Sequence, residues 1–243
     1  MLKYPLEIII PVYNEGGNIN LVLTQFQKWV QTKFRVLICY DHDDDSTLNA
    51  YNPDNFTFEI MPVKNNGTGA HSAVMTGMYY SDSDCVIIFP ADDIMNQNII
   101  DYMYMQYTNG CDVVVASRFM KGGSMAGCPP LKSFLVRTAS KTLYLFSSIP
   151  VQDASNGFRL FSRRILNSVA IESNTGFTYS IELLVKCKRL GWKIGEIPAC
   201  WEERSKGRSR FQVVKWTPSY IKWYLYGLAT TWLFKSKNSV KLK

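Results

Sequence analysis

Glu7-Ile-Ile-Ile-Pro-Val-Tyr-Asn-Glu15-Gly-Gly-Asn-Ile19 is the stretch on which the reading of the fold turns. A short apolar run stops at Pro11. Tyr13, Asn14 and Glu15 then stand where a strand opens into a loop, and two glycines lead into a helix. In open α/β sheets, ligands bind outside the carboxyl ends of the strands. An aromatic ring and a carboxylate at that edge suit a nucleoside, the ring lying on a base and the carboxylate accepting from base or ribose donors. The same residues also fit a plain strand, turn and helix cap.

The pattern continues outward. Strands are expected over Glu7–Val12, Phe34–Tyr40, Thr57–Val63, Cys85–Phe89 and Asp112–Ala116, with helices over Asn18–Gln31, Gly69–Ser81 and Asn96–Thr108. Continuous apolar strands alternating with helices predict an α/β protein with a Rossmann-like, mainly parallel central sheet flanked by helices. The loop-like Gly122–Pro130 segment separates this half from a second half of helices and short strands.

Composition excludes a disordered chain: 47% of the 243 residues are hydrophobic and 14% aromatic. The start lacks a long apolar segment, so no signal peptide is expected. Six cysteines without Cys-x-x-Cys spacing read as buried thiols in a reducing compartment, neither a disulfide framework nor a zinc site.

The net charge of +7 is unevenly placed. Residues 201–243 carry ten Lys/Arg and two Glu, whereas residues 1–200 are nearly balanced. Such a tail seeks phosphates. Ser219–Phe234 is densely apolar and aromatic, but at about 16 residues, with Lys222 inside, it is short of the roughly 20 a membrane span needs. A C-terminal amphipathic helix in a membrane interface is expected, with Lys235, Lys237, Lys241 and Lys243 meeting anionic headgroups. A core or dimer helix is the competing reading. Nucleic acid is not expected as a partner, because the aromatics form one block and not a row of stacking platforms. The expected division is a catalytic domain over 1–216 and an interfacial tail over 217–243, peripheral on the cytoplasmic face of a membrane.

Several segments could carry chemistry. In Asp41-His-Asp-Asp-Asp45, the strand-proximal Asp41 is the candidate ribose or base ligand, and Asp43 to Asp45 read as a solvated loop. Lys64-Asn-Asn-Gly-Thr-Gly-Ala-His-Ser-Ala73 is a glycine-containing loop opening a helix, suited to phosphate. Val86-Ile-Ile-Phe-Pro-Ala-Asp-Asp93 ends a buried strand with two carboxylates. Asp92 and Asp93 are therefore candidate ligands for Mg²⁺ or Mn²⁺, which take one or two carboxylates plus substrate phosphates. An N-cap role competes, more strongly for Asp93. Ser117-Arg-Phe-Met-Lys-Gly-Gly123, Asp153-Ala-Ser-Asn-Gly-Phe-Arg159, Thr175-Gly-Phe-Thr-Tyr-Ser-Ile-Glu182 and Trp201-Glu-Glu-Arg-Ser-Lys-Gly-Arg-Ser-Arg-Phe211 follow.

Taken in order, these motifs resemble a family 2 glycosyltransferase of the polyprenyl-phosphate sugar synthase type, over about residues 6 to 216. The resemblance implies a GT-A fold, a nucleotide-sugar donor such as GDP-mannose or a UDP-sugar, a divalent metal, and inverting transfer to a lipid phosphate. It implies that Pro11, Tyr13, Glu15 and Asp41 hold the nucleoside, and that Ala91 and Asp92 lie at the diphosphate and metal. Arg118, Arg204 and Arg210 would face phosphates, with Lys132 and Arg137 joining Arg118 at the acceptor phosphate. Asp153 and Glu182 match acidic positions of the family.

The chain departs from the family at Pro90-Ala-Asp92-Asp-Ile94, where the usual Asp-x-Asp has lost its first carboxylate and its later polar ligand. At Asp41-His42 the usual second Asp is a histidine. Mechanistically, a lipid monophosphate is already anionic, with a second pKa of about 6, and attacks without a protein base. Asp92, Arg118, Arg204 and Arg210 are the expected catalytic groups, acting by position and charge. Two other functions fit the motifs. Transfer to a saccharide hydroxyl would need a carboxylate base, with Asp153 or Asp93 as candidates. A non-catalytic nucleotide-sugar-binding module would tolerate the altered metal motif.

Overall fold

The structure is a computed structural model and describes residues 4–202 and 213–243. Seven strands form the main sheet: β1 (Leu6–Pro11), β2 (Phe34–Tyr40), β3 (Glu59–Lys64), β4 (Cys85–Ile88), β5 (Val113–Ser117), β7 (Arg159–Ser162) and β8 (Ile194–Pro198), in the order β3-β2-β1-β4-β7-β5-β8. β6 (Ser124–Ala126) and β9 (Cys200–Glu202) make a second, two-stranded parallel sheet. The helices are α1 (Ile19–Trp29), α2 (Gly69–Tyr80), α3 (Ile100–Thr108), α4 (Pro130–Phe146), α5 (Arg163–Ser168), α6 (Thr178–Arg189) and α7 (Val213–Trp232).

Alternation along the strands explains the layering. Ile9, Leu37, Val86, Ile88, Val113 and Val115 face one core. Ile8, Ile10, Val36, Ile38, Ile87 and Val114 face the other. Both faces of the sheet are covered, as parallel strands with near-continuous apolar sequence require. This is the mainly parallel, helix-flanked GT-A-like arrangement.

One strand runs against the rest. β7 pairs antiparallel with both β4 and β5, placing Arg159 beside Ile88 and Val115 at the sheet's carboxyl edge. Its preceding loop, Asp153–Phe158, therefore emerges among the carboxyl ends of the parallel strands.

Helix α2 lies unusually close to the sheet at Gly77. A Cβ there would sit 2.5 Å from Ile9 Cγ2 and 2.9 Å from Cys39 Sγ. Gly77→Ala is expected to destabilise the fold by about 1–3 kcal/mol, because overpacking outweighs the gain of about 1 kcal/mol in helix propensity. Urea unfolding checks this; equal or higher stability would contradict the close approach.

The C-terminal helix α7 starts before the boundary expected at 216–217, so that boundary falls inside a helix. Trp223 is buried, with the Lys186 ammonium 4.9 Å from its ring. Arg189 of α6 donates to the Tyr226 carbonyl at 2.7 Å and to Thr230 Oγ1 at 3.0 Å. The last residues fold back on the body. Val240 is buried, Leu242 bridges Val169, and Lys243 Nζ donates to the Leu166 carbonyl at 2.5 Å. Lys243, expected to extend toward headgroups, is instead tied to the segment before β-bridge residue Val169, because the apolar Val240 and the backbone of 241–243 find partners there.

Candidate active site

The carboxyl edge of the sheet collects the candidate residues in a row. Asn65 follows β3, Asp41 follows β2, Tyr13 lies just past β1, Ala91 and Asp92 lie in the loop after β4, and Arg118 follows β5, with the Asp153 loop between the last two.

At the nucleoside end, the β1 and β2 loops are laced together. Asn14 has φ of 56°, a left-handed conformation that asparagine tolerates. Its amide donates to both oxygens of Asp45 at 3.0 Å, and the Glu15 amide donates to Thr47 Oγ1 at 2.9 Å. Asp45 is buried and is the organiser of this junction, although its run of acidic neighbours reads in sequence as a solvated loop. The Asp-x-Thr spacing of Asp45 and Thr47 was the available signal. The Thr47 amide and hydroxyl both donate to Asp45 Oδ1. Tyr13 is exposed and stands edge-on to His42, with ring centroids 6.4 Å apart. Glu15 also enters the helix start: its carbonyl accepts from the Asn18 and Ile19 amides, and its Oε2 accepts from Asn18 Nδ2 at 2.8 Å. The cap reading and the ligand reading thus share one residue.

Asp41 binds the glycine loop from β2. Its carboxylate accepts from Asn65 Nδ2 at 2.6 Å and from the Gly69 amide at 2.8 Å. Asn65 Oδ1 accepts from Ser72, Thr76 and the Gly67 amide, fixing the loop onto α2. Asn65 is thus a second organiser that sequence reading did not single out. His71 lies in the first turn of α2, not in a loop, and burial holds its imidazole below the usual histidine value.

At the centre, Ala91 is buried and Asp92 half-buried. Asp93 is not the N-cap of a helix but closes the turn that leads toward α3: its Oδ1 accepts from the Met95 and Asn96 amides at 2.9 and 3.1 Å, and its Oδ2 accepts from Asn96 Nδ2 at 2.6 Å. Burial raises the Asp93 carboxyl above the usual carboxylate range, and the adjacent Asp92 charge adds to that rise. Among the described residues no three His, Cys, Asp or Glu side chains gather as a complete metal cage. One half-buried carboxylate beside a second that feels its charge fits a hard cation that takes the rest of its shell from substrate phosphate and water.

At the β5 end, Arg118 and Asp153 form a buried, two-pronged pair. Arg118 Nε and Nη2 donate to the two carboxylate oxygens at 2.7 and 3.0 Å, and the Arg118 amide adds a third bond at 3.1 Å. The Ser155 and Asn156 amides donate to the same carboxylate at 3.2 Å. Burial alone would push the Asp153 carboxyl up; the Arg118 guanidinium outweighs it and holds the group below the usual range. Behind them Arg159 is fully buried and donates to the carbonyls of Ser180 at 2.5 Å and Asn156 at 2.7 Å. Burial pushes its pKa down to about 10, which leaves it charged at neutral pH.

Arg137 meets Arg118 around one ring. Their guanidinium carbons lie 4.9 and 5.0 Å from the Phe119 centroid. Lys132 lies 5.5 Å from the Trp201 ring. Glu182 sits apart, fully buried, accepting from the Glu172 and Ser173 amides at 2.6 and 2.8 Å and from Lys186 at 2.7 Å. Its surroundings make it a lock between α6 and the loop before it. Arg204 and Arg210 lie outside the described residues.

A family model described as glycosyl transferase family 2 matches residues 7–170, the span that holds this whole row from β1 to the Asp153 loop. The chain belongs to glycosyl transferase family 2. Among its relatives, a protein named dolichol-phosphate mannosyltransferase from Pyrococcus furiosus is 22% identical over 228 residues, covering 90% of this chain and 64% of the relative. The chain thus spans just under two thirds of that relative's length. A polyprenol monophosphomannose synthase from Mycolicibacterium smegmatis is 21% identical, covering 86% of this chain and 85% of its own length. Among solved structures, glucosyl-3-phosphoglycerate synthase from Mycobacterium tuberculosis, in complex with Mn²⁺ and UDP, superposes with a TM-score of 0.66 at 14% identity, over 93% of this chain and 81% of that one. That likeness establishes the shared fold of this family 2 chain.

Proposed function

We propose that this chain transfers a hexose, with inversion, from a nucleotide-sugar donor to a polyprenyl or dolichyl monophosphate. One observation carries the choice of acceptor. Of the two carboxylates that could serve as base toward a hydroxyl, Asp153 is held by Arg118 and loop amides, whereas Asp93, its carboxyl raised by burial, has both oxygens bonded to Met95 and Asn96. A carboxylate held below its usual pKa by a guanidinium is a poor proton acceptor. A phosphate monoester needs no base, since it is already ionised above a pKa of about 6. The names of the two relatives agree with this acceptor class.

The parts would be shared out along this row. Tyr13, Glu15 and Pro11 would receive the nucleoside, with Asp41 shaping the glycine loop beside it. Asp92, next to Ala91, would hold Mg²⁺ or Mn²⁺, and such an ion would supply neutralising charge at the donor phosphates. Arg118, Lys132 and Arg137 would hold the acceptor phosphate in line, with Arg204 and Arg210 as further phosphate contacts. Residues 1–216 would form the catalytic part. We place the protein peripherally on the cytoplasmic face of a membrane. No helix of the described residues is long and apolar enough to cross one.

The test offers purified protein GDP-mannose, UDP-glucose and UDP-N-acetylglucosamine with Mn²⁺. Acceptors are a polyprenyl monophosphate, 3-phosphoglycerate and an oligosaccharide. Label is expected in the lipid phosphate alone, with a rate that falls as pH drops below about 6 and the attacking oxygen becomes protonated. Transfer only to a hydroxyl acceptor would overturn the reading, and no transfer from any donor would favour the binding module.

A further inference from the structure

Helix α4 is built the wrong way round for a helix that serves only the core. Ser140 and Leu143 are its buried residues. On the opposite side Leu131, Phe134, Leu135 and Leu145 recur at helical spacing, each more than half exposed. A surface helix ordinarily turns polar residues outward. Its neighbour α7 repeats the feature: Ile221, Leu225 and Trp232 are each more than half exposed on the side away from buried Trp223.

The two helices are fastened to each other. Tyr224 Oη donates to Thr142 Oγ1 at 2.9 Å, Thr231 Oγ1 to the Ser147 carbonyl at 2.8 Å, and Trp232 Nε1 to the Phe146 carbonyl at 2.6 Å. The exposed apolar residues therefore belong to one rigid pair. Patches of this kind on a protein surface mark interaction sites.

Charge selects the occupant. Neither α4 nor any residue from 213 to 243 is Asp or Glu, while α4 carries Lys132, Arg137 and Lys141, and α7 carries Lys222. A second copy docking through the same face would set these cations against their own equivalents with no carboxylate on either helix to answer them. A nucleic acid would answer the cations but not the leucines. An anionic bilayer answers both, taking aliphatic side chains below headgroups that pair with the lysines.

We propose that the paired outer faces of α4 and α7 form a membrane-docking surface, in which α4 and not the C-terminal tail alone contributes the first apolar stripe. The inference rests on the lipid-acceptor reading for its purpose. The amino-terminal half of α4 carries Lys132 and Arg137, so docking through this helix holds those cations at headgroup depth, where a lipid's phosphate resides.

The experiment compares the wild-type chain with a Phe134→Ser, Leu135→Ser, Leu145→Ser variant and with an Ile221→Ser, Leu225→Ser variant. All five positions are exposed, so circular dichroism and melting are expected to stay as in wild type. Cosedimentation with phosphatidylcholine–phosphatidylserine vesicles is expected to weaken by about tenfold or more in each variant. Transfer to a long-chain lipid phosphate in those vesicles is expected to fall in parallel, while transfer to a water-soluble short-chain prenyl phosphate stays unchanged. Wild-type vesicle binding by the α4 variant would overturn the proposal. So would a sedimentation dimer that the same substitutions dissolve, with no vesicle binding in the wild type. If wild type transfers sugar to neither lipid acceptor yet its vesicle binding responds to the α4 substitutions, the acceptor reading fails and the docking surface stands.

Discussion

Asp92→Asn is expected to reduce sugar transfer by about two to three orders of magnitude while leaving the fold intact. The side chain is half-buried at the end of β4, beyond a strand whose own apolar residues are fully packed. Asn keeps the volume and loses the charge. What the site then lacks is the carboxylate that would hold a divalent cation against the donor phosphates. Asp93 cannot replace it, because its oxygens are occupied by Met95 and Asn96. The loss should appear in turnover and in Mn²⁺ activation, with the melting temperature near that of wild type. Unchanged turnover with a polyprenyl phosphate would remove Asp92 from the assignment.

Asp153→Ala should act on stability first. Its carboxylate is fully buried and accepts from Arg118 and from the amides that shape the loop into β7. Removing it strands the Arg118 guanidinium beside fully buried Arg159. Breaking one side of a buried pair costs about 3–5 kcal/mol, a large share of the 5–15 kcal/mol that holds a typical domain together. Urea unfolding measures the loss, and the double variant with Arg118→Ala should lose less than the sum of the two single changes. A cost below about 1 kcal/mol would mean the pair is not buried as described. The same pair sets an acid limit. The folded pKa of Asp153 is depressed, so its contribution is present above the ordinary carboxylate value near 4 and disappears as pH falls through the lowered folded value.

The parallel half of the fold was legible because its strands announce themselves. Phe34–Tyr40 reads as an unbroken apolar run apart from Arg35 and was found over the same residues. β7 was not legible. It has four residues, and its first is an arginine buried against the carbonyls of Asp153 and Asn156 in its own loop and of Ser180, 21 residues on, a fit no strand pattern reveals. Asp45 was hidden differently. In a run of five polar residues each looks solvated, and only the return of the β1 loop makes one of them a buried acceptor. The C-terminal segment was half legible. Its apolar density was plain, but the shared surface with α4 depends on which side of each helix the core uses, and the exposed leucines of α4 resemble an ordinary core stripe until the opposite face is seen to be the buried one.

The reversed strand has a metric consequence. β7 lies between β4 and β5, so the carboxyl ends of those two strands, from which the Asp92 and Arg118 loops depart, are two inter-strand steps apart, about 10 Å at the usual spacing of about 4.8 Å. That interval is fixed by backbone hydrogen bonds and not by side-chain choice. It works as a gauge block: substitutions along the edge can alter the loops that carry Asp92 and Arg118, but the spacing of the two strands those loops leave changes only if the sheet itself is rebuilt.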